Sequence, residues 1–385
     1  SQDYPNFRPT LDLNFAKTKG LDPRIKFSRS GPASFVNELG KIQLVGDDTP
    51  RFDHDPITKE NKGLLIEEER RNFAIYSLKI NNDLGSYYNL INNAILISDA
   101  GEAPDGTTTA TKMIPGSSGG ARGIEEVYTL PSTGEYTTSV YVKAAGHTGW
   151  IALYGVDGGT RAYFNPSTGT AGQPGTYPDT PAAGKYGIED AGNGWYRCHL
   201  TVNLTSTGGT EYFYIYFGNS DGSTSVTHSG TNGILMWGLQ VEKGSFPTSY
   251  IPTSSAAVTR GYEAPTLEGT EFSDVFGTQF NEFSLVVDYD NDFGVGASGQ
   301  NYALIDMWGE STGYNDRIEF FRDDASPYHI ETRAFGQGNA LFSNGNITAS
   351  TLAKTQRFAA SWYVPDYSNT SSRRFVVSMG GEAVD

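Results

Sequence analysis

A sugar-binding surface needs flat aromatic rings, on which the C–H face of a sugar stacks, beside hydroxyl, amide or carboxylate partners. Residues of that kind gather in the middle of this chain: Trp150, Tyr154, Tyr163, Tyr212, Tyr214 and Tyr216. In Tyr212-Phe-Tyr-Ile-Tyr-Phe217 the tyrosines recur at every second position, so a strand there puts all three on one face. Such a row serves a ligand or, equally, a chain–chain contact, where tyrosine is favoured. Trp195 and Trp237 lie inside strand-like passages and read as core.

Other chemistry is less well supplied. Asp288-Tyr-Asp-Asn-Asp292 spaces three carboxylates two apart, as a calcium loop begins. Yet Gly294 stands one place late and no Glu occupies the twelfth position. The expectation is no cofactor, with calcium at Asp288, Asp290 and Asp292 as the alternative. The five histidines, at 54, 147, 199, 228 and 329, are scattered, with no Ser-His-Asp order and no HExxH. His54, between Asp53 and Asp55, reads as a turn residue. A paired-carboxylate hydrolase needs two acids to meet in space, which no spacing here demands. The chain therefore reads as a binding protein and not an enzyme.

The elements that must position these residues are strands. Gly 46, Tyr 23 and Phe 21 against a charged fraction of 19% indicate an all-β composition, with glycine for turns and aromatics for pleated surfaces. The formal net charge of −16 disfavours nucleic acid and anionic lipid as partners. No run of ~18 apolar residues predicts a membrane span, and the polar opening Ser1-Gln-Asp-Tyr does not read as a signal peptide. A start at Ser1 implies removal of an initiator or a start inside a longer product. The single cysteine, Cys198, in Trp195-Tyr-Arg-Cys-His-Leu-Thr-Val202, reads as a small buried hydrophobe.

Three regions follow. Residues 1–72, rich in charge and proline, are expected as an extended arm packed on another body, with a strand or hairpin at Leu39–Val45. In this arm Glu67-Glu-Glu-Arg-Arg71 reads as a solvated charge run. Residues 73–255 read as one β-sandwich, with strands near Ala94–Ser98, Thr109–Ile114, Gly123–Thr129, Glu135–Ala144, Trp150–Val156, Thr160–Phe164, Tyr186–Asp190, Trp195–Leu204, Glu211–Asn219 and Gly233–Glu242. Thr248–Arg260 reads as a linker hugging that sandwich. Residues 256–385 read as a second sandwich, incomplete at residue 385.

Several passages are more particular than a fold requires. They include Leu11-Asp-Leu-Asn-Phe15, Thr49-Pro-Arg-Phe-Asp-His-Asp-Pro56, Gly63-Leu-Leu-Ile-Glu-Glu68, Gly192-Asn-Gly-Trp-Tyr-Arg-Cys198 and Trp237-Gly-Leu-Gln-Val-Glu-Lys-Gly244. Across roughly residues 11–260 the chain resembles virion proteins of tailed bacteriophages, of the tail-fibre and adhesin type. Their modules are concanavalin A-like, laminin-G-like or jelly-roll β-sandwiches. The resemblance implies an arm followed by two such sandwiches, a place on the virion surface, contacts with other virion proteins, a homotrimer or other homo-oligomer, and host-surface polysaccharide as ligand. The alternatives are a capsid decoration, head-fibre or tail accessory protein with purely structural contacts, and, less favoured, a polysaccharide depolymerase. No coiled-coil heptad or collagen-like tract is present to form a fibre shaft.

Overall fold

The computed structural model describes residues 9–80, 88–117, 120–175, 181, 184–207 and 211–277, and then the strand segments within 282–290, 302–308, 317–323, 329–336, 339–343, 347–348, 355–363, 374–379 and 382–384. The described chain is all-β apart from one helix, and it divides into two units.

Leu13–Thr266 is the first unit. Its centre is built from the strands β1 (Asn89–Ile91), β2 (Ile95–Gly101), β3 (Ala110–Ile114), β4 (Gly123–Tyr128), β5 (Gly134–Ala145), β6 (Trp150–Tyr154), β7 (Arg161–Asn165), β8 (Thr170–Pro174), β9 (Tyr186–Gly192), β10 (Trp195–Leu204), β11 (Glu211–Gly218) and β12 (Gly233–Lys243). They form two six-stranded sheets, in the orders β8-β7-β6-β11-β4-β1 and β9-β10-β5-β12-β3-β2. The named pairings are antiparallel.

Alternation of side chains decides which face is buried. In β11, Phe213, Ile215 and Phe217 point inward, and so do Ile151 and Leu153 of β6 and Phe164 of β7. Facing them are Tyr136, Val140 and Val142 of β5, Cys198, Leu200 and Val202 of β10, and Ile234 and Met236 of β12. The two sheets thus close over one core. Along β12 the inward set then shifts by one place, to Leu239 and Val241. The cause is a bulge against β5 between Ser139 and Tyr141, where Gly238 adopts φ 63°. Trp237, just before the bulge and next to inward Met236, points outward, onto Tyr250 at 4.6 Å and Tyr141 at 5.7 Å between ring centroids.

The outer face of the β5-containing sheet is covered, because residues 13–72 and 245–266 pack within the same unit. The lead-in forms hairpins, Ala33–Val36 with Ile42–Val45 and Phe52–His54 with Asn61–Leu64. Arg70–Asn72 pairs with Val258–Arg260, and Lys26–Ser28 with Ala264–Thr266. Ile42, Tyr141, Trp195, Trp237 and Tyr250 form a second apolar cluster in this layer. Gln240 and Glu242, on the outward face of β12, latch the returning chain. The Ile251 N–H donates to Gln240 Oε1 at 2.7 Å, and the Thr248 N–H and hydroxyl donate to Glu242 at 2.9 and 2.7 Å.

The charge run Glu67–Arg71 requires a correction. Only Glu69 and Arg71 are exposed to solvent: Arg70–Asn72 is a strand, and Glu67 lies inside a buried ionic cluster. Arg51 meets Glu263 at 2.5 Å and Glu67 at 2.8 Å, Arg29 meets Glu263 at 2.9 Å, and Arg260 meets Glu67 at 2.9 Å. Burial would raise the Glu67 carboxyl, but the Arg260 and Arg51 guanidiniums beside it outweigh burial and hold it at about 2. Buried charges persist only when paired and hydrogen-bonded, and each carboxylate here accepts from two guanidiniums.

The second unit is built on Leu267–Asp385. It has a four-stranded sheet, in the order Glu282–Asp290, Thr355–Tyr363, Arg374–Met379, Glu382–Val384. A second sheet runs Tyr302–Trp308, Arg317–Asp323, His329–Gly336, Asn339–Ser343, with Ile347–Thr348 also pairing with His329–Gly336. The helix Gly269–Phe276 was not expected from the sequence. Its signal was present: Phe272, Val275 and Phe276 at helical spacing, followed by Gly277 at φ 78°. Among the described residues no helix is long and apolar enough to cross a membrane.

Candidate functional site

The outer face of the β11-containing sheet carries the aromatic residues singled out in the sequence. Inward Phe213, Ile215 and Phe217 force Tyr212, Tyr214 and Tyr216 outward, and inward Ile151 and Leu153 do the same for Trp150 and Tyr154. Pairing of β6 with β11 sets Ala152 against Tyr216, and pairing of β6 with β7 sets Tyr154 against Arg161 and Ala152 against Tyr163. All six therefore share one face, and all but Tyr163 are half-buried. Tyr163 is only 3% exposed, and its hydroxyl accepts from Arg161 Nε at 3.0 Å, so it steadies Arg161 instead of offering a surface.

The rings are arranged mostly against one another. Tyr212 and Tyr214 stack at 6.0 Å and 12°, and Tyr214 and Tyr216 at 5.2 Å and 22°. Tyr154 stands edge-on to Tyr214 and Tyr216 at 5.6 and 5.2 Å, and the Arg161 guanidinium lies 5.3 Å from the Tyr154 ring centroid. Within the row, ring faces are turned toward each other. Ring edges and hydroxyls are left to face outward. Burial pushes up the phenols of Tyr154, Tyr214 and Tyr216, with the Glu125 carboxylate adding to the effect at Tyr214. They remain protonated donors at neutral pH.

Trp150 is different. It lies across Gly172 of β8: a Cβ added at Gly172 would run into both the Trp150 ring and the Asp221 carboxylate. Asp221 is exposed and accepts the Gln173 N–H at 3.0 Å from both oxygens. At the opposite side of the row, Glu125 of β4 is cross-strand to Tyr214, whose phenol it hydrogen-bonds, and it accepts from Asn89 Nδ2 at 2.7 Å. Glu125, Arg161, Gly172 and Asp221 were missed in the sequence. Asp221 lies in Asn219-Ser-Asp-Gly-Ser-Thr224, but only strand pairing reveals which residues flank the tyrosines.

Other candidates fall elsewhere. Trp195 and Trp237 are buried, their indole N–H groups donating to the Glu102 carbonyl at 3.2 Å and to Thr109 Oγ1 at 3.1 Å. Cys198 is buried in the core, and burial pushes its thiol up. His54 Nδ1 lies 3.1 Å from the Val36 carbonyl in the lead-in layer. Asp288 is in the strand Glu282–Asp290, with its backbone opposite Arg357; the Asp290 side chain and Asp292 lie outside the described residues. Among the described residues no three His, Cys, Asp or Glu side chains gather as a metal site. A cleft of about 450 Å³ beside Arg71, Phe73, Ile75 and Tyr128 holds Glu126, whose carboxyl burial raises to about 8. It accepts from Tyr128 at 2.5 Å and from the Ile75 N–H at 3.4 Å, and among the described residues no second carboxylate lines the cleft.

No protein-family model matches the chain, and no curated protein matches it.

Proposed function

We propose that this chain is a virion structural protein of the tailed-phage tail-fibre or adhesin type, and that its first sandwich binds host-surface glycan. In this reading the sandwich is a jelly roll of the concanavalin A-like kind. The four-strand runs β3-β12-β5-β10 and β4-β11-β6-β7, facing each other, support that assignment. The observation that carries the function is an asymmetry. The β5 sheet has its outer face sealed by residues 13–72 and 245–266, while the β11 sheet keeps Trp150, Tyr154, Tyr212, Tyr214 and Tyr216 half-exposed. Aromatic and hydroxyl groups left on one face are suited to weak single-site adhesion, which becomes effective when many copies act together. Other virion proteins and a homo-oligomeric assembly belong to this reading, as does a place on the virion surface.

The test is retention of the chain, presented multivalently, on bacterial surface polysaccharides, with polymer length followed over time. Saturable binding without shortening, lost in Trp150→Ala and Tyr214→Ala variants of unchanged melting temperature, is the expected result. Shortening of the polymer would favour the depolymerase instead. A purely structural role is the second reading, and Leu90, Ile95 and Ile97 favour it: three large apolar side chains exposed on β1 and β2 suit a subunit contact.

A further inference from the structure

Resting on the reading that the tyrosine face binds glycan, we infer that this face selects uncharged glycan and rejects acidic polymer, with one sugar ring stacked on Trp150 and neighbouring hydroxyls read by Tyr212, Tyr214 and Tyr216. Two observations carry this, one geometric and one electrostatic.

The geometry gives the stacking position. Tyr212, Tyr214 and Tyr216 turn their faces toward one another, and Tyr154 has its ring under Arg161. Those rings cannot each take a sugar face. Trp150 is seated across side-chain-free Gly172, and among the described residues no other ring or cation is stacked on it. Asp221 reaches the same point over Gly172, so a sugar stacked there meets a carboxylate acceptor for its hydroxyls. The tyrosine row continues from that point as a line of phenol groups, which donate to and accept from hydroxyls.

The charges give the selectivity. Carboxylates stand on both sides of the row, Asp221 by Trp150 and Glu125 by Tyr214. Asp157 stands near Tyr212, in a turn where it accepts from the Thr160 N–H and hydroxyl. Two guanidiniums lie nearby on neutral partners and keep their charge, Arg161 on the Tyr163 hydroxyl and the Tyr154 ring and Arg71 over Phe73 at 5.4 Å, but among the described residues the three carboxylates outnumber them. An incoming sugar carboxylate would be desolvated beside like charges, which repels it, whereas a sugar hydroxyl gains charge-assisted hydrogen bonds from the same groups.

The experiment compares retention of the full chain on neutral polysaccharides and on the same polymers oxidised at C6 to the uronate, at low salt. Wild type should hold at least one neutral polymer about tenfold more tightly than its oxidised counterpart, and Trp150→Ala should remove that binding. A Glu125→Gln/Asp221→Asn double variant, with both carboxylates replaced by isosteric amides, should narrow the gap by binding the oxidised polymer better. If the oxidised polymer is held as tightly, and Trp150→Ala still abolishes both, the selectivity is wrong while the glycan face stands. If Trp150→Ala leaves polymer binding unchanged, both readings of this face fall; if no polymer is held and the variant instead dissociates an oligomer, they fall and a second copy of the chain is the occupant. Melting temperatures of all variants, with Tyr214→Phe as a milder change, separate these results from unfolding.

Discussion

At the scale of single residues, two glutamates show how surroundings set the same carboxyl group to opposite states. Glu67, between Arg51 and Arg260, is ionised well below the usual range. Glu126, buried against Tyr128 with no cation in its hydrogen bonds, is raised from 4.5 to about 8. The folded chain therefore holds a proton on Glu126 that the unfolded chain releases. Its contribution to stability is complete below 4.5, declines as pH rises, and is gone by about 8. The slope is about 1.4 kcal/mol per pH unit for one such group. Glu126→Gln should flatten the decline in melting temperature between pH 5 and 8, measured by thermal unfolding across that range. A decline of unchanged steepness would show that another group is responsible. None of this was legible in the sequence: Glu67 and Glu126 each sit in ordinary acidic stretches, and what separates them is a guanidinium brought from residue 260 in one case and its absence in the other.

At the scale of elements, the strands were legible and their neighbours were not. Alternation in Tyr212–Phe217 predicted which residues share a face, because period two is a property of any strand. It did not predict that Glu125 would stand across from Tyr214, or that Gly172 would pass under Trp150, since those depend on β11 pairing with β4 and on β8 lying two strands from β6. Gly172 offers a direct test of that placement. Its φ is not in the left-handed region, so the backbone accepts a side chain there, but the space is taken by Trp150 and Asp221. Gly172→Val should cost about 1–3 kcal/mol by overpacking. It should also shift tryptophan fluorescence as the ring is displaced, and reduce polymer retention as much as Trp150→Ala does. Normal retention in that variant would mean that the seat of Trp150 is irrelevant to binding.

At the scale of the whole molecule, the lead-in, the sandwich and the returning chain are one folding unit. Arg29 and Arg51 come from the lead-in, and Arg260 and Glu263 from beyond the last sandwich strand. A fragment spanning residues 13–266 contains the entire cluster and should unfold as a single cooperative transition. A fragment ending at residue 255 loses Arg260 and Glu263, and leaves Arg29 and Arg51 buried short of a carboxylate. Breaking a buried ionic group in this way costs about 3–5 kcal/mol or more. Denaturant titration of the two fragments measures the difference. Equal stability would show that the cluster does not join the layers.

The sequence by itself determined an all-β chain, most strand positions, the tyrosine row as one face, and Trp195, Trp237 and Cys198 as core, because composition and side-chain alternation act locally. The tertiary structure alone decided what its most particular passages do. Arg51, Glu67, Gln240 and Glu242 lie in the stretches that are more particular than a fold requires, and they latch the layers together. That could not be read from the chain, because a charged side chain looks solvated until its partner, about two hundred residues away for Arg51 and Glu263, is placed beside it out of water.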